Sequence, residues 1–114
     1  MACMIVNELA KFINGKVVTG DGEHSVAKAF ASDLMSDVLT MDEEDLVLIT
    51  GLCTQQVIRT AEMSDISTVI FARGKTITQD IIDLAKKHEI TLISSDLSVF
   101  KLCGILWGKL DSVY

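Results

Sequence analysis

Three short apolar runs fix most of what this chain can fold into: Leu46-Val47-Leu48-Ile49-Thr50, Thr68-Val69-Ile70-Phe71-Ala72 and Thr91-Leu92-Ile93-Ser94. Each is rich in β-branched or aliphatic residues, none alternates cleanly between apolar and polar positions, and each is followed by a segment of helical periodicity. A strand without alternation is buried on both faces. Strands that alternate with helices build βαβ crossovers, whose handedness favours parallel neighbours. The expectation is an α/β fold, a small sandwich with a predominantly parallel sheet and flanking helices, whose βαβαβα core starts at about residue 45. Aromatic residues make up only 5% of the chain, so that core must be aliphatic.

The lead elements, residues 1–44, read less sharply. Asn7 to Ile13 places Leu9, Phe12 and Ile13 on one helical face, and Asn14-Gly15 supplies the exit, with the glycine expected in the left-handed conformation. Lys16 to Thr19 reads as a short strand, Thr19-Gly20-Asp21-Gly22 as a tight turn, and His24 to Phe30 as another strand. The acidic run Met41-Asp42-Glu43-Glu44-Asp45 reads as a solvated turn between lead and core (residues 45–114). With 114 residues, no proline and no Gly/Ser-rich linker, one domain over 1–114 is expected.

Charge and cysteine spacing exclude several functions. A net charge of −6 without a basic stripe argues against nucleic-acid binding. No apolar stretch approaches the length of a membrane span, and the N-terminus lacks the basic start and long apolar run of a secretion signal. Cys3, Cys53 and Cys103 form no CxxC pair and have no histidine at ligand spacing, so neither a metal nor an iron–sulfur cofactor is expected. Free thiols suit a reducing, cytoplasmic location.

Candidate chemistry gathers where the strands end. In Val47-Leu48-Ile49-Thr50-Gly51-Leu52-Cys53-Thr54-Gln55-Gln56-Val57-Ile58 a strand turns through Gly51 into a helix that Thr54 is placed to cap. Amides near Thr54 to Gln56 can receive a phosphate or carboxylate, or the segment can be a turn and nothing more. It matches neither GxxxxGK[ST] nor GxGxxG. Arg73-Gly74-Lys75 follows the second run and falls on the same edge, where its cations can neutralise an anion or simply be solvated. Ser94-Ser95 occupies the third exit, with hydroxyls suited to a ribose or phosphate, while Ser95 or Asp96 also fits the cap of the last helix. The candidate ligand site is therefore Gly51, Thr54, Gln55, Arg73, Gly74, Lys75, Ser94 and Ser95. A capping box is expected at Thr76 with Gln79.

Catalysis is less well provided for. Cys53 beside a helix start would have its thiol pKa lowered, but the only histidines are His24 in the lead and His88 at the far end of a helix. Asp33 and Asp37 share a face if Ser32 to Leu39 is helical, without an evident substrate pocket. The chain is expected not to be an enzyme. The alternative is a small enzyme acting on a phosphorylated or nucleotide substrate with Gly51, Thr54, Arg73 and Ser94 as its site. Val99, Leu102, Cys103, Leu106 and Leu110 form one stripe on the last helix, and Phe100 and Trp107 widen it beyond what one sheet face needs. A homodimer pairing through Phe100, Trp107 and Leu110 is the expectation.

Ala31-Ser32-Asp33-Leu34-Met35-Ser36-Asp37-Val38-Leu39, the acidic turn, and then LVLITG, TVIFARG and TLISSD ahead of an amphipathic last helix resemble the DRTGG domain family along nearly the whole chain. The family's Asp-Arg falls at Leu52-Cys53, and its later Thr-Gly-Gly around Ala72-Arg73-Gly74, where one glycine remains. The resemblance implies a small α/β sandwich that tends to dimerise and serves as a regulatory or assembly module. Such domains accompany phosphotransacetylases and regulated pyrophosphatases with nucleotide-sensing domains. Solitary members occur in anaerobic bacteria, often encoded beside iron-hydrogenase genes. The implied role is a regulatory or adaptor module that senses an anion such as an adenine nucleotide and serves a redox enzyme such as an iron hydrogenase.

Overall fold

The computed structural model describes residues 3–114. In chain order the elements are β1 (Met4–Ile5), α1 (Val6–Phe12), β2 (Lys16–Thr19), β3 (Ser25–Val26), β4 (Lys28–Ala31), α2 (Met35–Val38) and β5 (Leu46–Thr50). They continue with α3 (Gln55–Met63), β6 (Thr68–Phe71), α4 (Gln79–Lys87), β7 (Thr91–Ser94), α5 (Val99–Leu106) and β8 (Asp111–Ser112). β5, β6 and β7 are the three apolar runs, and their side chains are buried apart from the half-buried Ser94.

A six-stranded sheet has the order β2-β7-β6-β5-β4-β8, and β1 pairs antiparallel with β3 in a separate ribbon. β4, β5, β6 and β7 run parallel, with Leu48 beside Val69 and Ile70 beside Ile93. β2 is antiparallel to β7. The sheet is thus mixed but mostly parallel. The lead is not a layer of its own, because β4 extends the core sheet at one edge and β2 extends it at the other. The stretch His24 to Phe30, expected as one strand, divides into β3 and β4, which belong to different sheets.

The direction of travel explains where the helices go. From β4 to β7 each crossover steps the same way across the sheet, and right-handed steps in one direction deposit their helices on one face. Met35 and Val38 of α2, Val57, Ile58 and Ala61 of α3, and Ile81 and Ala85 of α4 share one apolar cluster with Leu48, Phe71 and Leu92. After β7 the chain reverses and travels back to place β8 parallel to β4. Reversal puts α5 on the other face, where Leu102 and Leu106 pack with α1 residues Val6, Leu9 and Ala10 over Val47, Ile49, Ile70 and Ile93.

Several local expectations need correcting. Asn14, not Gly15, takes the left-handed conformation after α1, at φ 50°. Gly15 serves close packing instead, since an added Cβ would lie 2.9 Å from Ile93 Cγ2. The last helix ends at Leu106, and the left-handed Gly108 turns the chain back so that Leu110 is buried at 5% exposure beyond the helix. Leu110 therefore belongs to the interior and not to an outer dimer face.

Candidate functional site

The strand reversal defines the place to look. In open α/β sheets ligands sit outside the carboxyl ends of the strands where successive connections leave to opposite faces. Here the connection after β6 goes to the α4 face and that after β7 to the α5 face, so the crevice lies between Ala72–Lys75 and Ser94–Leu97.

That crevice is closed by the chain itself. Arg73 N–H donates to Leu97 O at 2.9 Å and Gly74 N–H to Ser95 O at 2.8 Å. Ser95, at 2% exposure, donates its hydroxyl to Ile13 O at 2.7 Å and accepts from Leu97 N–H at 3.2 Å. Its role is to tie the lead to the third strand exit, and Ser94 beside it stays half-buried. The cap of α5 is neither Ser95 nor Asp96 but Ser98, whose Oγ accepts from Lys101 N–H at 3.1 Å. Arg73 and Gly74 both adopt left-handed backbone, at φ 64° and 59°. A Cβ on Gly74 would approach Asp96 Oδ1 to 2.6 Å.

One strand over, the exit of β5 carries an anion already, and it is the chain's own. Asp33, on the link from β4 to α2, places Oδ1 2.7 Å from the Thr50 hydroxyl and 2.8 Å from Gly51 N–H, both of which donate to it. Thr50 is fully buried and its Oγ1 in turn accepts from Leu52 N–H at 3.1 Å. The carboxyl pKa of Asp33 is lowered, first by the Thr50 hydrogen bond and then by that from Gly51; burial opposes them, and weaker through-space attraction from Lys75 and Arg73 adds to the lowering. Asp37 lies within α2 whereas Asp33 precedes it, so the two do not share a helical face as expected. The Ser-Asp-Leu-Met-Ser-Asp segment thus begins on the strand-exit edge, a contact that links residues 17 apart and leaves no local trace.

The α3 start is arranged differently from a capped helix. Thr54 holds the N-cap position with extended backbone, yet its side chain makes no capping bond, and Oγ1 is buried without a hydrogen-bond partner among the described residues. Gln55 is exposed and donates through Nε2 to Asp80, which also accepts from the Thr78 hydroxyl. These bonds lower the Asp80 pKa, with Thr78 the larger cause. They clamp the first turns of α3 and α4 together. Thr78, not Thr76, occupies the N-cap position of α4, so the expected capping box does not form.

Arg73 is exposed, Lys75 half-buried, and neither forms an ion pair among the described residues. The structure therefore brings Gly51, Arg73, Gly74, Lys75, Ser94 and Ser95 to one edge with Asp33 and Thr50, two residues the sequence did not single out as a pair. The signal for Thr50 was there in retrospect, as a polar residue closing an otherwise apolar strand.

The candidate nucleophile and the two histidines lie apart. Cys53 lies half-buried with Sγ 3.8 Å from Thr76 O, and burial raises its thiol pKa more than Lys75 lowers it. This reverses the lowered pKa expected from the helix start. His24 sits at the opposite edge, where Nδ1–H donates to Asp21 O at 2.7 Å and Nε2 meets the buried Thr68 hydroxyl at 2.7 Å. His88 caps the far end of α4. Among the described residues no three His, Cys, Asp or Glu side chains converge as a metal site, and no helix is long and apolar enough to cross a membrane.

No family model matches the chain, and no curated protein matches it in sequence. Its fold is similar to the crystal structure of the CBS and DRTGG domains of the regulatory region of Clostridium perfringens pyrophosphatase, complexed with its activator diadenosine tetraphosphate. The TM-score is 0.73 at 17% identity, over 93% of this chain and 47% of that one, so this chain spans about half the length of its structural neighbour.

Proposed function

We propose that this chain is a non-catalytic regulatory or adaptor module of the DRTGG type, a single unit over its whole length, that senses a small anion such as an adenine nucleotide at the strand-exit edge. The observation that carries the reading is the fold likeness to part of a pyrophosphatase regulatory region across 93% of the chain. Arg73 and Lys75, two cations without an ion pair among the described residues, beside the Gly51 amide support an anionic ligand. The raised thiol pKa of Cys53 and the remoteness of both histidines support binding without turnover.

The module works as a homodimer in the cytoplasm. Phe100 is 90% and Trp107 75% exposed, on the side of α5 away from the buried Leu102 and Leu106. They flank Gly104, where an added Cβ would meet nothing within 4 Å. Large exposed rings around a gap of this kind suit a self-complementary contact. Its client is a redox enzyme, on the resemblance to solitary members encoded beside iron hydrogenases.

Calorimetric titration with AMP, ADP, ATP and diadenosine tetraphosphate tests the sensing role, alongside turnover assays on the same compounds with Mg²⁺. The expected result is saturable binding of at least one nucleotide, weakened by Arg73→Ala, and no product. Turnover that is lost in Asp33→Ala or Cys53→Ala would overturn the module reading; binding unaffected by Arg73→Ala would overturn the site.

A further inference from the structure

The Asp33 carboxylate stands where an external oxyanion would have to stand. One oxygen, Oδ1, receives both the Thr50 hydroxyl and the Gly51 amide, a pair of donors that suits a phosphate or carboxylate oxygen equally well. Oδ2 makes no hydrogen bond among the described residues and lies 3.5 Å from where a Gly51 Cβ would be. Apart from the two Asp33 oxygens, the next atom near that point is Val99 Cγ2 at 3.8 Å, so removing the carboxylate opens space beside the amide. Arg73 and Lys75, the cations that attract Asp33, form no ion pair among the described residues.

The link that carries Asp33 is fixed independently of its side chain. Ser32 N–H donates to Ile49 O at 3.1 Å, and Leu34 N–H to Ser32 Oγ at 3.0 Å. Asp33 itself is exposed. Its side chain is therefore free to rotate out while the backbone on either side stays tied to β5.

We propose that Asp33 is a built-in competitor for the anion site: an external phosphate or carboxylate oxygen takes the Thr50 and Gly51 donors only when the Asp33 side chain leaves them. This rests on the strand-exit edge being the ligand site, and it adds to that reading a brake set by the chain itself. A site whose competent state is a minor population binds with its affinity reduced by that fraction. Two charge-assisted hydrogen bonds on an exposed side chain are enough for a brake of about tenfold.

The test is amide NMR titration of the native chain, Asp33→Ala, Asp33→Asn and Asp37→Asn with inorganic phosphate and, separately, ADP. Asp33→Ala is expected to bind both probes about tenfold more tightly than native, with the Gly51 amide among the largest shifts. Asp33→Asn, which keeps an acceptor of the same shape without charge, should fall between, and serves if the alanine variant is unfolded. Asp37→Asn removes the same charge four residues further along the chain, from a carboxylate that does not bond Gly51, and should stay within about twofold of native. Equal gains in Asp33→Ala and Asp37→Asn, or tighter binding with no Gly51 shift, would overturn the brake. Native binding at this edge with no gain in Asp33→Ala overturns the brake and keeps the site; no binding by any variant overturns both.

Discussion

The three glycines Gly20, Gly74 and Gly51 should respond to alanine in an order the structure dictates. Gly20 has φ 99° and sits over β7, where an added Cβ would be 2.6 Å from the backbone Cα of Thr91. Strand backbone cannot step aside as a side chain can, so conformational strain of about 1–3 kcal/mol adds to an overpacking cost of similar size. Gly20→Ala should lose about 2–6 kcal/mol. Gly74 has φ 59° and its neighbour is the end of the Asp96 side chain, which can rotate away. Only the left-handed cost remains there, about 1–2 kcal/mol. Gly51 is not left-handed, and its added Cβ would meet ordinary contacts at 3.5 Å and beyond. Gly51→Ala should be neutral or stabilise by about 0.4–1 kcal/mol, because alanine restricts the unfolded chain more than glycine does. Urea unfolding at neutral pH with a common slope measures all three, and each kcal/mol corresponds to a shift in Tm of roughly 4–8 °C for a domain near this size. A Gly51→Ala variant less stable than Gly74→Ala would refute the reasoning.

Thr50→Val and Asp33→Asn should each cost about 1 kcal/mol at pH 7 and should couple in a double-mutant cycle, because they share one hydrogen bond. Since folding lowers the Asp33 pKa, its contribution is complete above the unfolded value of about 3.9 and disappears as pH falls through the folded one, so the native and Asp33→Asn unfolding curves should converge in acid. Cys53 and Cys103, both with pKa raised by burial, should react with iodoacetamide at pH 7.5 more slowly than exposed Cys3, as counted by mass spectrometry; equal rates at the three would refute this. Trp107→Glu should convert a sedimenting dimer to monomer while leaving the circular dichroism spectrum unchanged; undiminished dimerisation would place the interface elsewhere.

The sheet was legible because β5, β6 and β7 are buried on both faces and announce themselves as continuous apolar runs. β4 was harder, since Lys28, Ala29, Phe30 and Ala31 lie near an edge and carry no such continuity. The helix caps were misplaced for a related reason. Thr76 and Ser95 satisfy local capping rules, but the loops after β6 and β7 are held by each other through Arg73, Gly74, Ser95 and Leu97, and that shared bonding delays both helix starts. Leu110 kept the helical spacing of its predecessors although Gly108 had already ended the helix, a signal that spacing alone overrides. The strand-exit edge followed from the βαβ order. The Asp33 contact across the sheet depends on β4 lying beside β5, a pairing that the sequence of the lead does not encode locally.

The central claim, an anion-sensing edge at the strand exits, is tested most directly by mapping backbone amide shifts while ADP is titrated into the native chain. The account predicts saturable shifts concentrated at Gly51, Thr54, Gln55, Arg73 and Lys75, and their loss in Arg73→Ala. Shifts centred instead on Thr19, His24, Lys86 and Thr91, which line a cleft of about 620 Å³ at the opposite edge, would contradict it.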